Sequence, residues 1–124
     1  ITALCREARR SLLGFEVAHI GINCPDADAS AAVCDTLNAA FGFETKLGNS
    51  SNFSTPAIEV MKTNYLGEKG HIAIRTNRID IAIAELEKAG YAVDPETAKY
   101  KGDRMIAVYL KQEFGGFAVH LLQK

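Results

Sequence analysis

A four-residue phrase occurs twice in this chain, as His19-Ile20-Gly21-Ile22 and as His71-Ile72-Ala73-Ile74, with the copies 52 residues apart. Few local features constrain a fold more, because near-identical strand-like phrases at such a spacing mark an internal duplication of a supersecondary unit. In each copy histidine and small residues alternate with isoleucine, the period of a strand with two different faces. Two related strands that pair about a pseudo-twofold axis carry their histidines to one place. Two neutral imidazoles at one place suit a metal ion.

The chain has 124 residues, 48% hydrophobic and 23% charged, with a net charge of −1. That length is one domain's worth, large enough to bury a core without disulfides or a structural metal, so a metal here is expected to be functional. Apart from Arg6, Arg9 and Arg10 the basic residues are scattered, so no nucleic-acid footprint is expected. No run reaches the about 18 apolar residues of a membrane span, and no secretory segment is recognisable. Cys5, Cys24 and Cys34 form no metal-type or redox-type pair and read as reduced thiols of a cytoplasmic protein. Ile1 stands where an initiator methionine would, in a helical pattern, so the sequence is expected to be cut from a longer polypeptide.

Ile1, Leu4, Cys5, Ala8 and Leu12 give helical spacing over residues 1–13, ended by Gly14. Residues 1–14 are read as the end of a preceding domain or a linker helix, and 15–124 as the domain proper, with modules at about 15–63 and 70–124. The first module reads as strand Val17 to Asn23, helix Ala29 to Ala40 and strand Phe43 to Leu47. A polar loop over Gly48 to Asn52, an undecided segment at Phe53 and strand Ala57 to Lys62 complete it. Thr63 to Gly70 is a linker. The second module reads as strand His71 to Thr76, helix Ile79 to Ala89 and strand Tyr91 to Val93. A loop through Pro95 and Lys99 to Gly102 follows, then strand Met105 to Leu110, a Gly115-Gly116 turn and strand Phe117 to Gln123. The predicted class is α+β, with helices on one side of a sheet and the other side free to curl.

Period-two parity places Val17, His19, Gly21 and Asn23 on the free face and Ile20 and Ile22 on the helix-packed one. It likewise groups His71, Ala73 and Arg75. Glu59 interrupts the apolar run Ala57 to Met61, and His120 interrupts Phe117 to Leu122, each between core-facing neighbours. Burying a carboxylate and three imidazoles without partners is costly, and one divalent cation held by His19, Glu59, His71 and His120 removes that cost. This donor set, without cysteine, suits zinc or nickel first and iron or manganese next, and argues against a purely structural zinc.

The phrases Val17-Ala-His-Ile-Gly-Ile22, Ala57-Ile-Glu-Val-Met61, Gly70-His-Ile-Ala-Ile74 and Gly116-Phe-Ala-Val-His-Leu-Leu-Gln123 resemble the four ligand strands of the glyoxalase I / vicinal oxygen chelate superfamily. The resemblance implies two βαβββ modules curled around a metal, often a homodimer with shared sites. It also implies lyase or isomerase chemistry on a small 2-oxo or 2-hydroxycarbonyl substrate. His19, Glu59 and His71 match the bacterial glyoxalase I pattern, whereas the fourth position, glutamate in that enzyme, is His120. Glu59 and His120 become the candidates for proton transfer, and two octahedral positions stay open for vicinal substrate oxygens.

At the start of the chain, Ile1-Thr2-x-Leu4-x-Arg6-Glu7-Ala8 resembles the C-terminal helix of 2-keto-3-deoxy-6-phosphogluconate / 4-hydroxy-2-oxoglutarate aldolases. This implies covalent attachment to an N-terminal aldolase domain. Of the remaining features, Asp26 and Asp28 read as helix-capping carboxylates and Gly67 to Gly70 as a turn. Arg75 and Asn23 are candidate substrate contacts, Arg75 through a carboxylate or phosphate, against the alternative of a solvated strand-end charge. Lys99, Lys101 and Arg104 read as solvated charges. Two other functions fit the same residues: a metabolite-binding regulatory domain without chemistry, and oxygen activation at a two-histidine, one-carboxylate iron site.

Overall fold

The computed structural model describes residues 3–124; Ile1 and Thr2, which open the expected first helix, lie outside the described residues. The elements in chain order are α1 (Ala3–Leu13), β1 (Glu16–Ile22), α2 (Ala27–Phe41), β2 (Thr45–Lys46), β3 (Ser51–Ser54) and β4 (Ile58–Met61). They are followed by β5 (Gly70–Thr76), α3 (Ile79–Lys88), β6 (Val93–Lys101), β7 (Arg104–Leu110) and β8 (Phe117–Gln123). After α1 this is βαβββ twice over. The strands form one mixed sheet of order β2-β3-β4-β1-β5-β8-β7-β6, a sequence of pairings that reads the same from both edges once module numbers are exchanged. β1 pairs parallel with β4 and β5 parallel with β8, while β1 and β5 meet antiparallel at the centre. The pseudo-twofold axis expected from the repeated phrase therefore runs between β1 and β5.

Local chemistry sets the helices. Asp26, extended at φ −155°, accepts a hydrogen bond from the Ala29 amide at 2.8 Å and caps α2. Gly42, left-handed at φ 72°, ends it by donating to Asn38 O. The start of α3 has no such cap from Arg78; the side chain of Gln123, at the end of β8, accepts from the Ile79 amide at 2.8 Å instead. Helices α2 and α3 lie on the same side of the sheet. α2 is fixed to β4 by Ser30 Oγ donating to Val60 O at 2.9 Å, and α3 packs on Val108 and Leu121 of β7 and β8. No helix among the described residues is long and apolar enough to cross a membrane.

Several expectations need correction. Ser51 and Asn52, expected in a loop, open β3, because Ser51 and Asn52 pair with Met61 and Val60 across the hairpin. Residues 94–101, also expected to be loop, form most of the nine-residue β6. Pro95 is tolerated there because β6 is the sheet edge, where a missing amide proton breaks no ladder bond. Val17 does not share a face with His19. Val17 pairs with Ile74 and His19 with Ala73, so Ala18 is a bulge residue that resets the alternation. Ile20 does lie on the helix side, yet it is 44% exposed, since α2 and α3 cover the outer strands and leave the centre open. The apolar stripe of α1 is likewise uncovered at Leu4 and Leu12, and the helix is held instead by buried Leu13 and by Arg9 paired with Glu85 at 3.2 Å.

Candidate metal centre

The register across the central strands brings the repeated histidines together. Gly21 pairs with His71 across β1 and β5, and a Cβ at Gly21 would overlap the His71 ring, so glycine at this position makes room for that imidazole. Gly21 also pairs with Glu59 on its other side, and Ala73, its counterpart in the second copy, pairs with His120. Glu59 and His120 are thus equivalent under the pseudo-twofold, as are His19 and His71. All four side chains lie on the side of the sheet away from the helices.

Their contacts form a tight triangle. His19 Nε2 and His71 Nε2 are 3.2 Å apart, and Glu59 Oε1 lies 3.3 Å from the first and 3.0 Å from the second. Donors about 2.1 Å from one cation are about 3.0 Å apart when cis in an octahedron and about 3.4 Å apart in a tetrahedron. The observed edges span that interval. His19, His71 and His120 offer ring nitrogens all within 4.8 Å of one another, a group capable of holding a metal ion. His120 Nε2 is buried without a hydrogen-bond partner among the described residues, a buried polar atom that a cation would satisfy. The other Glu59 oxygen, Oε2, accepts from Ser51 Oγ at 2.6 Å.

Electrostatics follow from this packing. Burial by itself pushes the Glu59 carboxyl up, but the His19 and His71 imidazoles and the Ser51 hydroxyl outweigh it and hold the group well below the usual carboxylate range. Burial, reinforced by His71 and His19, pushes His120 down to about 3, so that ring is neutral with its lone pair available. Tyr109 lies flat on His120, centroids 4.5 Å apart at 25°, and burial raises its hydroxyl to about 12. Phe53 meets His19 edge-on at 5.5 Å.

The two expected substrate contacts, Asn23 and Arg75, both have partners within the chain. Asn23 donates through Nδ2 to the carbonyls of Tyr65 and Gly67, at 3.3 and 3.0 Å, and so ties the inter-module linker to the end of β1; its Oδ1 is buried without a partner among the described residues. Arg75 is engaged by Glu16 at 3.4 Å, in a cluster that Lys124 joins from the other side. Ser51, Phe53, Tyr65 and Tyr109 were not among the residues expected at the site. Carrying strand parity across the hairpins would have found two of them, because Phe53 pairs with Glu59 and Tyr109 with His120.

A cleft of about 590 Å³ lies at the first-module edge of the sheet, lined by Glu44, Thr45, Lys46, Phe53, Thr55 and Pro56.

No family model and no curated protein matches the sequence. Solved structures do match the fold. A methylmalonyl-CoA epimerase superposes with a TM-score of 0.59 at 17% identity, covering 86% of this chain and 93% of its own. The methylmalonyl-CoA epimerase of Mycobacterium tuberculosis gives 0.58 at 14%, covering 90% and 89%. A hypothetical protein of Bacillus halodurans gives 0.62 at 15%, covering 89% and 94%. At these identities the likeness establishes the fold: two βαβββ modules in a curled mixed sheet, the glyoxalase / vicinal oxygen chelate architecture.

Proposed function

We propose that residues 15–124 form a metal-dependent enzyme of the glyoxalase type, a lyase or isomerase for a small 2-oxo or 2-hydroxycarbonyl compound. His19, Glu59, His71 and His120 would hold one divalent ion, zinc or nickel before iron or manganese. The observation that carries the reading is the donor triangle at 3.0 to 3.3 Å, with the unpartnered His120 nitrogen beside it. When bound, such an ion supplies Lewis acidity to two adjacent substrate oxygens. The chain's own groups do the rest. Glu59 contributes the single negative charge of the set, Ser51 turns one of its oxygens away from the histidines, and Tyr109 orients the His120 ring. Glu59 and His120 are the groups positioned to take or return a proton beside the substrate carbonyl. The fold neighbours named as epimerases favour isomerase over lyase, because epimerisation is proton exchange next to a carbonyl.

A specific observation also supports a second reading, a metabolite-binding domain without chemistry. In the metal-free protein neither candidate base lies near neutrality: Glu59 is held below the usual carboxylate range and His120 is pushed down to about 3. Two measurements separate the readings. Elemental analysis of the purified protein is expected to give one divalent ion per site, lost in His71→Ala. Incubation with 2-oxo and 2-hydroxycarbonyl compounds in deuterated water is expected to label the carbon beside the carbonyl. Metal-free protein that still binds such compounds, without exchange, would establish the binding domain instead.

The wider assignment belongs to the same proposal. Residues 1–14 are taken as the end of a preceding domain, in a polypeptide carrying an aldolase of the 2-keto-3-deoxy-6-phosphogluconate / 4-hydroxy-2-oxoglutarate type. It would work in the cytoplasm as a homodimer. The solvent-exposed Leu4 and Leu12 on α1 support an additional surface packing there.

A further inference from the structure

We propose that the cleft between α1 and α3 is a binding site for a small phosphate monoester with an apolar body, on the side of the sheet opposite the metal centre and independent of it.

The orientation of α1 is the reverse of the usual one. A helix lying on a domain ordinarily turns its apolar stripe inward. In α1 Leu4 and Leu12 stand 76% and 75% exposed, and the residues turned toward α3 are Arg6, Arg9, Arg10 and Leu13, at the i, i+3, i+4 and i+7 positions of one helical face. Together with Phe15 and the C-terminal turn of α3 they enclose a cleft of about 440 Å³. Three guanidinium groups on one face repel one another, and Lys88 approaches from the opposite wall. Glu85 is the one carboxylate at the cleft among the described residues; it takes Arg9 at 3.2 and 3.3 Å and Lys88 at 3.5 Å. Four cations against one carboxylate leave an excess of positive charge, and the guanidinium groups of Arg6 and Arg10 have no ion pair or hydrogen bond among the described residues. Arg10 and Lys88 stand in the last turns of their helices, where the macrodipole favours a cation, but Arg6 lies a turn earlier and owes nothing to that effect. An anion in the cleft gives all of these charges a partner.

The lining gives the chemical class. Arg6 and Arg10, one above the other at i and i+4, offer two unengaged planar forks. A carboxylate has two oxygens and satisfies one fork, whereas the three terminal oxygens of a phosphate monoester accept from both. Beside the arginines the surface is apolar: Leu13 is buried, Leu86 is half-buried and Phe15 is 38% exposed. Leu13 belongs to the core cluster of Ile79, Ala82, Val108 and Leu121, so this floor is rigid and already formed. It suits an aryl or alkyl body attached to the phosphate. None of His19, Glu59, His71 and His120 lines the cleft.

Calorimetric titration of the whole chain, freed of metal with a chelator, with phenyl phosphate, inorganic phosphate and phenol separates the two parts of the ligand. Phenyl phosphate is expected to bind at least about tenfold tighter than inorganic phosphate, and phenol not measurably. Arg6→Gln combined with Arg10→Gln should lower the affinity for phenyl phosphate at least about tenfold. Arg6→Lys with Arg10→Lys, which keeps the charges and removes the forks, should fall between that pair and the wild type. Lys101→Gln with Lys111→Gln removes the same charge elsewhere and should bind as the wild type does. Amide shifts in NMR spectra on titration should fall at Phe15, Leu86 and Ala89 and spare Gly21 and His71. No binding of phenyl phosphate, equal losses in the two glutamine pairs, or shifts at Gly21 and His71 instead would each overturn the site. Binding of an oligoglutamate peptide without binding of phenyl phosphate would make the cleft a surface for an acidic protein segment and overturn it equally. Because metal is absent throughout, none of these outcomes bears on the metal centre.

Discussion

The two modules share a backbone and differ in nearly every side chain that faces a function. Where the first has Glu59, supported by Ser51 and flanked by Phe53, the second has His120, with Ala107 and Tyr109 at the equivalent register positions. The carboxylate comes with a hydroxyl to occupy its second oxygen; the imidazole comes with an aromatic plane to fix its ring. The cores diverge in the same manner. Asn52 and Val60 in the first module correspond to Val108 and Leu121 in the second, and the first core also buries Ser30, Ser54 and Cys34. The repeated backbone therefore fixes where His19, Glu59, His71 and His120 stand. The side chains that differ decide the charge of each half and how firmly it is packed.

The sharpest way to break this comparison is at the histidines both modules supply in common. His71→Ala and His19→Ala should each weaken divalent binding by about 4 kcal/mol, one ligand's share of a four-ligand site. Competition against a chromophoric chelator measures both. If one substitution has no effect, the centre belongs to a single module and the symmetric account fails.

Packing is the next test. Leu121→Ala in the second core should cost about 3 kcal/mol of stability in urea unfolding, while Val60→Ala at the equivalent place should cost about 2, since it deletes less apolar volume from a smaller core. Equal losses would mean that the two cores are not distinct. A further pair sits under the donors. Gly21→Ala places a methyl group into the His71 ring and should weaken metal binding by about 2 kcal/mol, whereas Ala73→Gly, its counterpart, should change stability by about 1 and metal binding hardly at all.

Much of this was legible in the sequence for a definite reason. Histidine or glutamate inside a short apolar strand is conspicuous, and period-two alternation then assigns its face, so His19, Glu59, His71 and His120 could be grouped without coordinates. The same rule failed at Val17 because a bulge at Ala18 adds a residue to one strand only, which no alternation pattern displays. β6 was hidden by Pro95 and by lysines and a glycine that suit a loop, features an edge strand tolerates. Ser51 was hidden by the polar turn residues around it. Tyr109 was hidden by its setting in an apolar run, where an aromatic residue reads as core. In each case the missing information was which strand lies alongside, a long-range fact.

The smallest expected effect tests whether Ser51 and Glu59 act as a unit that the second module lacks. Ser51→Ala removes the donor to Glu59 Oε2 while leaving both histidine contacts, and should weaken metal binding about tenfold, the usual cost of losing an outer hydrogen bond to a ligand. Ala107→Ser, at the equivalent place, should change it little, because no carboxylate stands there to receive a hydroxyl. The pH dependence of the metal-free protein gives an independent reading. Glu59 has its folded-state pKa depressed, so the stability it contributes is present above the ordinary carboxylate value and is lost as pH falls through the folded value. Ser51 is one of the groups that depress it, so Ser51→Ala should move the acid limb of the stability profile to higher pH. Ala107→Ser should leave that limb in place. Identical acid limbs for wild type and Ser51→Ala would show that the histidines alone hold the carboxylate, and the hydroxyl would then be an accident of the β3 strand rather than part of the centre.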